Sequence, residues 1–288
     1  MQKYLDDFQQ MIALRGLTDH TMKSYSTYIR AYLDYLEHIL LKNPEDVSWQ
    51  ELRDFIVFIQ RKRSLSDRTI NTTISQLRFF TLYVLHQYWD PYQLPTRKFD
   101  TYLPFVPSKL EVATFISSLP DLKQKTMVTL MYSAGLRISE VCQLKCSDID
   151  RLNMRIHISK SKNRSDRFAN LSPKVLPLLE KYWRTCGKPK NYLFPKQSGR
   201  DKPIDTFFLS RHIHAHEERL GWERRLTCHS FRHAYGTHLY EDGTDLLTIK
   251  TLLGHKSLAS TMIYIQLAPH ATSHVLSPFD TLEDNYDL

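Results

Sequence analysis

Residues 226–265 read LTCHSFRHAYGTHLYEDGTDLLTIKTLLGHKSLASTMIYI. Apolar spacing divides this stretch into three helices, over 229–242, 245–253 and 258–267, the first ended by Gly243. His229 and Arg232 stand three apart on the first helix, so their side chains face the same way. Leu253-Gly254-His255 follows, and Tyr264 comes nine positions after the histidine.

Upstream, Gly135-Leu136-Arg137-Ile138-Ser139-Glu140 succeeds a strongly apolar helix over Leu122 to Ser133. Arg137 begins a new helix there, where backbone N–H groups favour an anion. Met154 to Ile158 alternates as a strand does. Phe168 to Leu171 suits its partner, with 160–167 as the hairpin between them. Helices over about 173–186 and 205–220 follow. Ser108 and Glu111 open the region with a capping box.

The first hundred residues read as helices. Leu5, Phe8 and Ile12 share a face, with Gly16 suited to a C′ position. Met22, Tyr25, Ile29, Leu33 and Leu36 make a second stripe. Ser48 and Glu51 cap a third helix, and Ser66 or Asp67 opens a fourth. Pro91, Pro95, Pro104 and Pro107 then prevent regular helix. The expected protein is mainly α with a small β-sheet. It has a helical domain over 1–92, a linker over 93–107 carrying Arg97 and Lys98, a mixed α/β domain over 108–275, and an acidic tail over 276–288.

Charge is spread unevenly over the 288 residues, whose net charge is +8. Residues 1–104 hold 13 Lys and Arg against 12 Asp and Glu, residues 105–275 hold 26 against 15, and the tail holds none against four. A basic block of that size points to a polyanion, with DNA or RNA as the default. No apolar run approaches the roughly 20 residues of a membrane helix, and the polar, acidic N-terminus is no secretory signal. Cys142, Cys146, Cys186 and Cys228 form no CxxC pair, as expected of structural thiols in a reducing cytoplasm. Cys142 and Cys146 are read as four apart on one helix, with metal ligation by that pair a second choice. No P-loop and no acidic cluster suited to two metals is present, so neither cofactor nor metal is expected.

Metal-free cleavage of a phosphodiester needs fixed positive charge over the non-bridging oxygens. Arginine suits this, because its planar fork stays protonated and binds two oxygens at once. A phenol can serve as the nucleophile and hold the phosphoryl group as an ester. The set Arg137, Arg232, His229, His255 and Tyr264 supplies both.

In that order, with Glu140 after Arg137 and a basic hairpin between the two arginines, the chain resembles the tyrosine recombinase, or phage-integrase, family. The resemblance runs from about Thr18 to Ser277 and is strongest over 130–147 and 226–265. In size the chain looks like the compact Xer-type and mobile-element recombinases. The resemblance implies a helical core-binding domain and a catalytic domain joined as a C-shaped DNA clamp. It implies that Arg137 and Arg232 hold the phosphate and that Tyr264 attacks it to give a 3′-phosphotyrosyl link. It further implies that His229 is an acid/base, that His255 donates to the phosphate and that Glu140 supports Arg137. The family's hairpin lysine, which protonates the leaving 5′-oxygen, falls on Lys162 by counting back from Leu171, with Lys160 the alternative. Arg164 and Arg167 are assigned to phosphate or solvent contact. Cys228 stands where the family often has proline, and Ile265-Gln266 where Thr-His is common; neither removes a catalytic group.

The implied activity is site-specific recombination of double-stranded DNA, integrating, excising or resolving it. It would be carried out by a dimer on each site and a tetramer in the synapse. Val275, Leu276, Pro278 and Phe279 would anchor the tail on a neighbouring protomer. Two other readings stand beside it: a sequence-specific DNA-binding regulator without catalysis, and a type IB topoisomerase-like enzyme.

Overall fold

The computed structural model describes residues 1–288 except 18, 101, 160–165, 198, 224–225 and 269–288. The hairpin lysines Lys160 and Lys162, Arg164 and the tail therefore lie outside the described residues. The chain divides into two compact units, Met1–Thr101 and Tyr102–Leu288.

The first unit is helical: α1 (Gln2–Leu14), α2 (Asp19–Tyr35), α3 (Trp49–Arg63) and α4 (Asp67–Tyr83). Ser48 and Glu51 close the capping box at α3, and the Ser66 side chain caps α4 by accepting from Thr69 N–H. The apolar stripes meet in a core containing Phe8, Ile12, Ile29, Tyr32, Leu36, Phe55, Ile70 and Phe80. Tyr32 packs edge-on against Phe55, centroids 5.1 Å apart. Met22 and Tyr25 are only half-buried at the rim. The proline-rich segment is pinned to this unit as far as Arg97. The Asn71 side chain exchanges two hydrogen bonds of 2.8 Å with the Arg97 backbone, and the Arg97 guanidinium meets Asp67 at 2.7 Å.

The second unit is built around α6 (Leu122–Ser133) and α10 (Cys228–Glu241), which pack along one another. Around them stand α5 (Lys109–Ser118), α7 (Ile138–Gln143), α8 (Leu176–Thr185), α9 (Thr206–Arg219), α11 (Leu246–Leu253) and α12 (Ala259–Leu267). A three-stranded antiparallel sheet runs in the order β1 (Ile149–Asp150), β2 (Arg155–Ile158), β3 (Arg167–Asn170). Its register sets Ile156 against Ala169 and Ile158 against Arg167. A smaller pair, β4 (Pro195–Lys196) and β5 (Gly199–Pro203), is antiparallel too. Phe115, Met127, Leu130, Leu136, Ile156, Phe194, Ile213 and Phe231 belong to the main core. A separate cluster of Tyr235, Ile249, Leu253 and Tyr264 joins α10, α11 and α12.

The mainly α architecture with small sheets agrees with the sequence reading. The cysteine reading needs correction. Helix α7 ends at Gln143, and Cys146 opens a separate 3₁₀ turn, so Cys142 and Cys146 do not share a helix. All four cysteines are free thiols, and burial pushes Cys142 up to about 12. Among the described residues no helix is long and apolar enough to cross a membrane, and no His, Cys, Asp and Glu cluster could hold a metal.

Candidate active site

One buried carboxylate organises the second unit. Glu140 is 4% exposed at its side chain. Its Oε1 accepts from Arg137 NH1 at 2.8 Å and from Arg167 NH1 at 2.8 Å. Its Oε2 accepts from Arg167 NH2 at 2.8 Å and from the Arg137 backbone N–H at 2.9 Å, with Arg232 NH1 3.8 Å away. Burial alone would raise this carboxyl; the Arg167 fork and Arg137 overcome it and hold Glu140 down to about 2. Arg137 is the N-cap of α7, so Glu140 reaches back to it as the third residue of a capping box does. One of the backbone N–H groups at the start of α7, that of Arg137, is thus taken by Glu140.

Arg232 is 4% exposed. Its NH1 donates to Gly135 O at 2.5 Å and its NH2 to Leu253 O at 2.6 Å. Burial, and Arg137 close by, bring it down to about 10, which leaves it cationic at neutral pH. Gly135 has φ +61°, and a β-carbon there would run into the Tyr235 ring and Leu253. Both Gly135 and Gly254 therefore shape the strip of backbone on which Arg232 rests.

Helix α11 ends in a Schellman turn. His255 N–H bonds to Lys250 O at 3.0 Å and Gly254 N–H to Thr251 O at 3.1 Å, with Gly254 at φ +64°. The carbonyls left over at the helix end are taken by arginines: Leu253 O by Arg232, and Leu252 O by Arg167 Nε at 3.1 Å. This gives the Leu-Leu-Gly-His motif its physical reason, because the turn then delivers His255 into the cluster. His255 Nδ1 lies 3.0 Å from Thr261 Oγ1, a fully buried hydroxyl on α12. With Nδ1 so occupied, Nε2 is the ring nitrogen left to meet another partner. Burial and the nearby Arg232 and Arg137 push His255 down to about 4, so its ring is neutral at pH 7.

Tyr264 is 1% exposed. Its ring stacks near His255, centroids 6.3 Å apart and 12° between planes, and stands 6.3 Å from the His233 ring. Burial pushes the phenol up to about 12, against the pull of Arg232 and Arg137. His229 sits at the exposed start of α10, although Arg232, three residues on, is buried. Its ring lies 6.3 Å from that of His233. The structure thus brings buried Glu140, Arg232 and Tyr264 together with half-buried Arg137 and His255, with His229 at the edge of the cluster.

The sequence reading missed four contributors. Arg167 was assigned to phosphate or solvent, yet its side chain is 8% exposed and its fork is closed on Glu140. Strand alternation was the available signal: Ala169 faces inward, so Arg167, two residues before it, does too. Thr261 and Gly236 carry no signal without coordinates. His233 follows Arg232 directly, and its buried Nδ1 has no hydrogen-bond partner among the described residues. Burial, with His229 and Arg232 close by, pushes it down to about 4.

A helical unit joined to a mixed unit with this arginine, histidine and tyrosine cluster defines a class of strand-transfer enzyme, and comparison with known proteins identifies it. The chain belongs to the phage integrase family, a family of tyrosine recombinases that perform site-specific DNA recombination. The phage integrase family model matches residues 110–270, and the model of the phage integrase N-terminal SAM-like domain matches residues 4–91. The chain is 34% identical to y4qK of Sinorhizobium fredii, a protein named as an integrase/recombinase, over 94% of this chain and 90% of the relative. It is 28% identical to a tyrosine recombinase of Thermosipho africanus over 93% of this chain and 96% of the relative. Among solved structures, the Tn1549 transposon integrase in complex with transposon right-end DNA matches with TM-score 0.71 at 18% identity, over 96% of each chain. A lambda integrase dimer bound to a core site matches with TM-score 0.71 at 19% identity, over 92% of this chain and 94% of that one. These structural likenesses speak for the fold.

Proposed function

We infer that Tyr264 is the nucleophile with which this recombinase cuts and rejoins DNA at a specific site. The observation that carries the reading is the shared carboxylate: Glu140 holds Arg137 and stands beside Arg232, with Tyr264 and His255 in the same cluster. Two cations, Arg232 buried and Arg137 half-buried, fixed before the substrate arrives need no reorganisation when charge develops on the phosphate.

In this mechanism Tyr264 Oη attacks phosphorus and the bond to the 5′-oxygen breaks. The phenol proton passes to His229, and the 5′-oxygen takes a proton from the hairpin lysine, Lys162 or Lys160. Arg137, Arg232 and the Nε2 side of His255 hold the non-bridging oxygens. The 3′-phosphotyrosyl ester conserves the bond energy until another 5′-hydroxyl attacks it. The excess of 26 basic over 15 acidic residues across 105–275 suits the DNA backbone. A dimer on each site and a tetramer in the synapse, in the cytoplasm, complete the reading, along with core-binding and catalytic domains over 1–92 and 108–275.

The test uses nicked duplexes tiled from the DNA flanking the coding sequence. Wild type should give an SDS-stable covalent band on one of them, and Tyr264→Phe should retard the same duplex without forming the band. Retardation without any adduct by wild type would favour the binding-only regulator. An adduct with Tyr264→Phe would remove Tyr264 from its role.

A further inference from the structure

Arg167 stands at the first position of β3 and directs its whole guanidinium into the protein. Three of its N–H groups are committed: NH1 and NH2 to the two oxygens of Glu140, and Nε to Leu252 O. Its stalk crosses Gly254 so closely that a β-carbon there would come within 2.7 Å of Arg167 Cδ. One side chain therefore touches the support of Arg137, the end of α11, and the glycine that precedes His255.

The arithmetic of the carboxylate shows what this does. Two oxygens offer about four lone-pair sites, and Arg167 fills two of them in a bidentate pair. Arg137 fills the other two with its backbone N–H and one guanidinium N–H, and Arg232 NH1 stays at 3.8 Å. Were the Arg167 fork absent, the freed oxygens would draw both arginines inward. In a buried site the pull of an underpaired carboxylate on neighbouring cations is strong.

Resting on the active-site reading above, we propose that Arg167 is a positioning residue of the phosphate clamp. It saturates Glu140 so that the guanidinium groups of Arg137 and Arg232 remain turned to the phosphate, and it fixes the turn that presents His255. Arg167 does not itself touch DNA.

The test compares wild type with Arg167→Lys, which keeps the charge and loses the fork. The probe is the flanking nicked duplex on which wild type forms its Tyr264-dependent adduct. A second copy of that duplex carries a methylphosphonate at the scissile position, where a neutral methyl group replaces one non-bridging oxygen. Arg167→Lys should slow adduct formation about 10- to 100-fold on the ordinary duplex, the range of coupling within one charged network. Retardation of the duplex and the melting temperature should change little. On the methylphosphonate the deficit should shrink to within about 3-fold, because the clamp has less charge to neutralise. An equal deficit on both duplexes would make Arg167 a fold or DNA-binding residue and overturn the proposal, as would an undiminished rate. If Arg167→Lys melts early, Arg167→Gln and a Glu140→Gln, Arg167→Lys double variant decide: additive losses refute the shared carboxylate, and non-additive losses support it. Failure of the active-site reading shows earlier and separately, as the absence of any Tyr264-dependent adduct with wild type, and would take this proposal with it.

Discussion

The phenol end of the Tyr264 ring occupies the space that a side chain on Gly236 would need: a β-carbon there would overlap Cζ, Cε1 and Cε2 of the tyrosine. Gly236 lies in the middle of α10 with ordinary helical backbone, so conformational freedom is not its use there. Its missing side chain is a seat for the tyrosine. Valine at this position must push the ring away, and a displacement of about 1 Å at a reacting group can cost about 100-fold in rate. Gly236→Val should therefore lose adduct formation by about that factor while still retarding the same duplex. An adduct rate equal to wild type would show that the seat does not place the proposed nucleophile.

Replacing Glu140 by glutamine tests the other end of the cluster. The amide keeps the volume but removes the charge that Arg137 and Arg167 share, with Arg232 close by. Breaking a buried ion pair by removing one partner costs about 3–5 kcal/mol. Glu140→Gln should lose stability on that scale in urea unfolding, and adduct formation should fall with it. A variant as stable as wild type would mean that the arginines find other compensation.

How far this site can be read from sequence depends on how local each determinant is. The helices over 228–241, 246–253 and 259–267 are set by nearby periodicity and stop residues, and their expected bounds differ from the observed ones by about one residue. Arg137 and Arg232 stand out because the motif surrounds them. Arg167 was hidden because its partners are 27 and 85 positions away, on Glu140 and Leu252. Only its place in the strand alternation hinted at an inward course. Gly236 and Thr261 were illegible for the same reason: a glycine inside a helix and a threonine beside the tyrosine mean nothing until α10, α11 and α12 are packed together. The cysteine misreading had a different cause. Leu144 is extended and ends α7 two residues before Cys146, a helix boundary that apolar spacing does not mark.

Protonation gives an independent handle. His255 and His233 are both pushed down to about 4, chiefly by burial. Unfolded, each would titrate near 6.5, so between pH 6.5 and 4 the unfolded chain binds more protons than the folded one. Stability from these two rings is present above about pH 6.5 and is lost as the pH falls toward 4. Urea unfolding of wild type should show this decline, and His255→Gln should show a shallower slope across the same window. Parallel slopes for the two proteins would mean that His255 titrates normally in the folded state.

The proposed general acid, Lys162 or Lys160, can be identified by the bond it would help to break. A 5′-bridging phosphorothiolate leaves as a thiolate, which needs no proton, so a variant lacking the general acid regains cleavage on that substrate. Variants of the phosphate clamp do not, since their loss lies with the non-bridging oxygens. Lys162→Ala should be slow on the ordinary nicked duplex by about 100-fold or more, in the range of general acid catalysis, and should approach the wild-type rate on the phosphorothiolate. Lys160→Ala should be close to wild type on both. The reverse pattern would place the acid two residues earlier and shift the hairpin register. If neither variant is rescued while both are slow, the two lysines serve to hold the DNA, and the proton donor must be sought elsewhere.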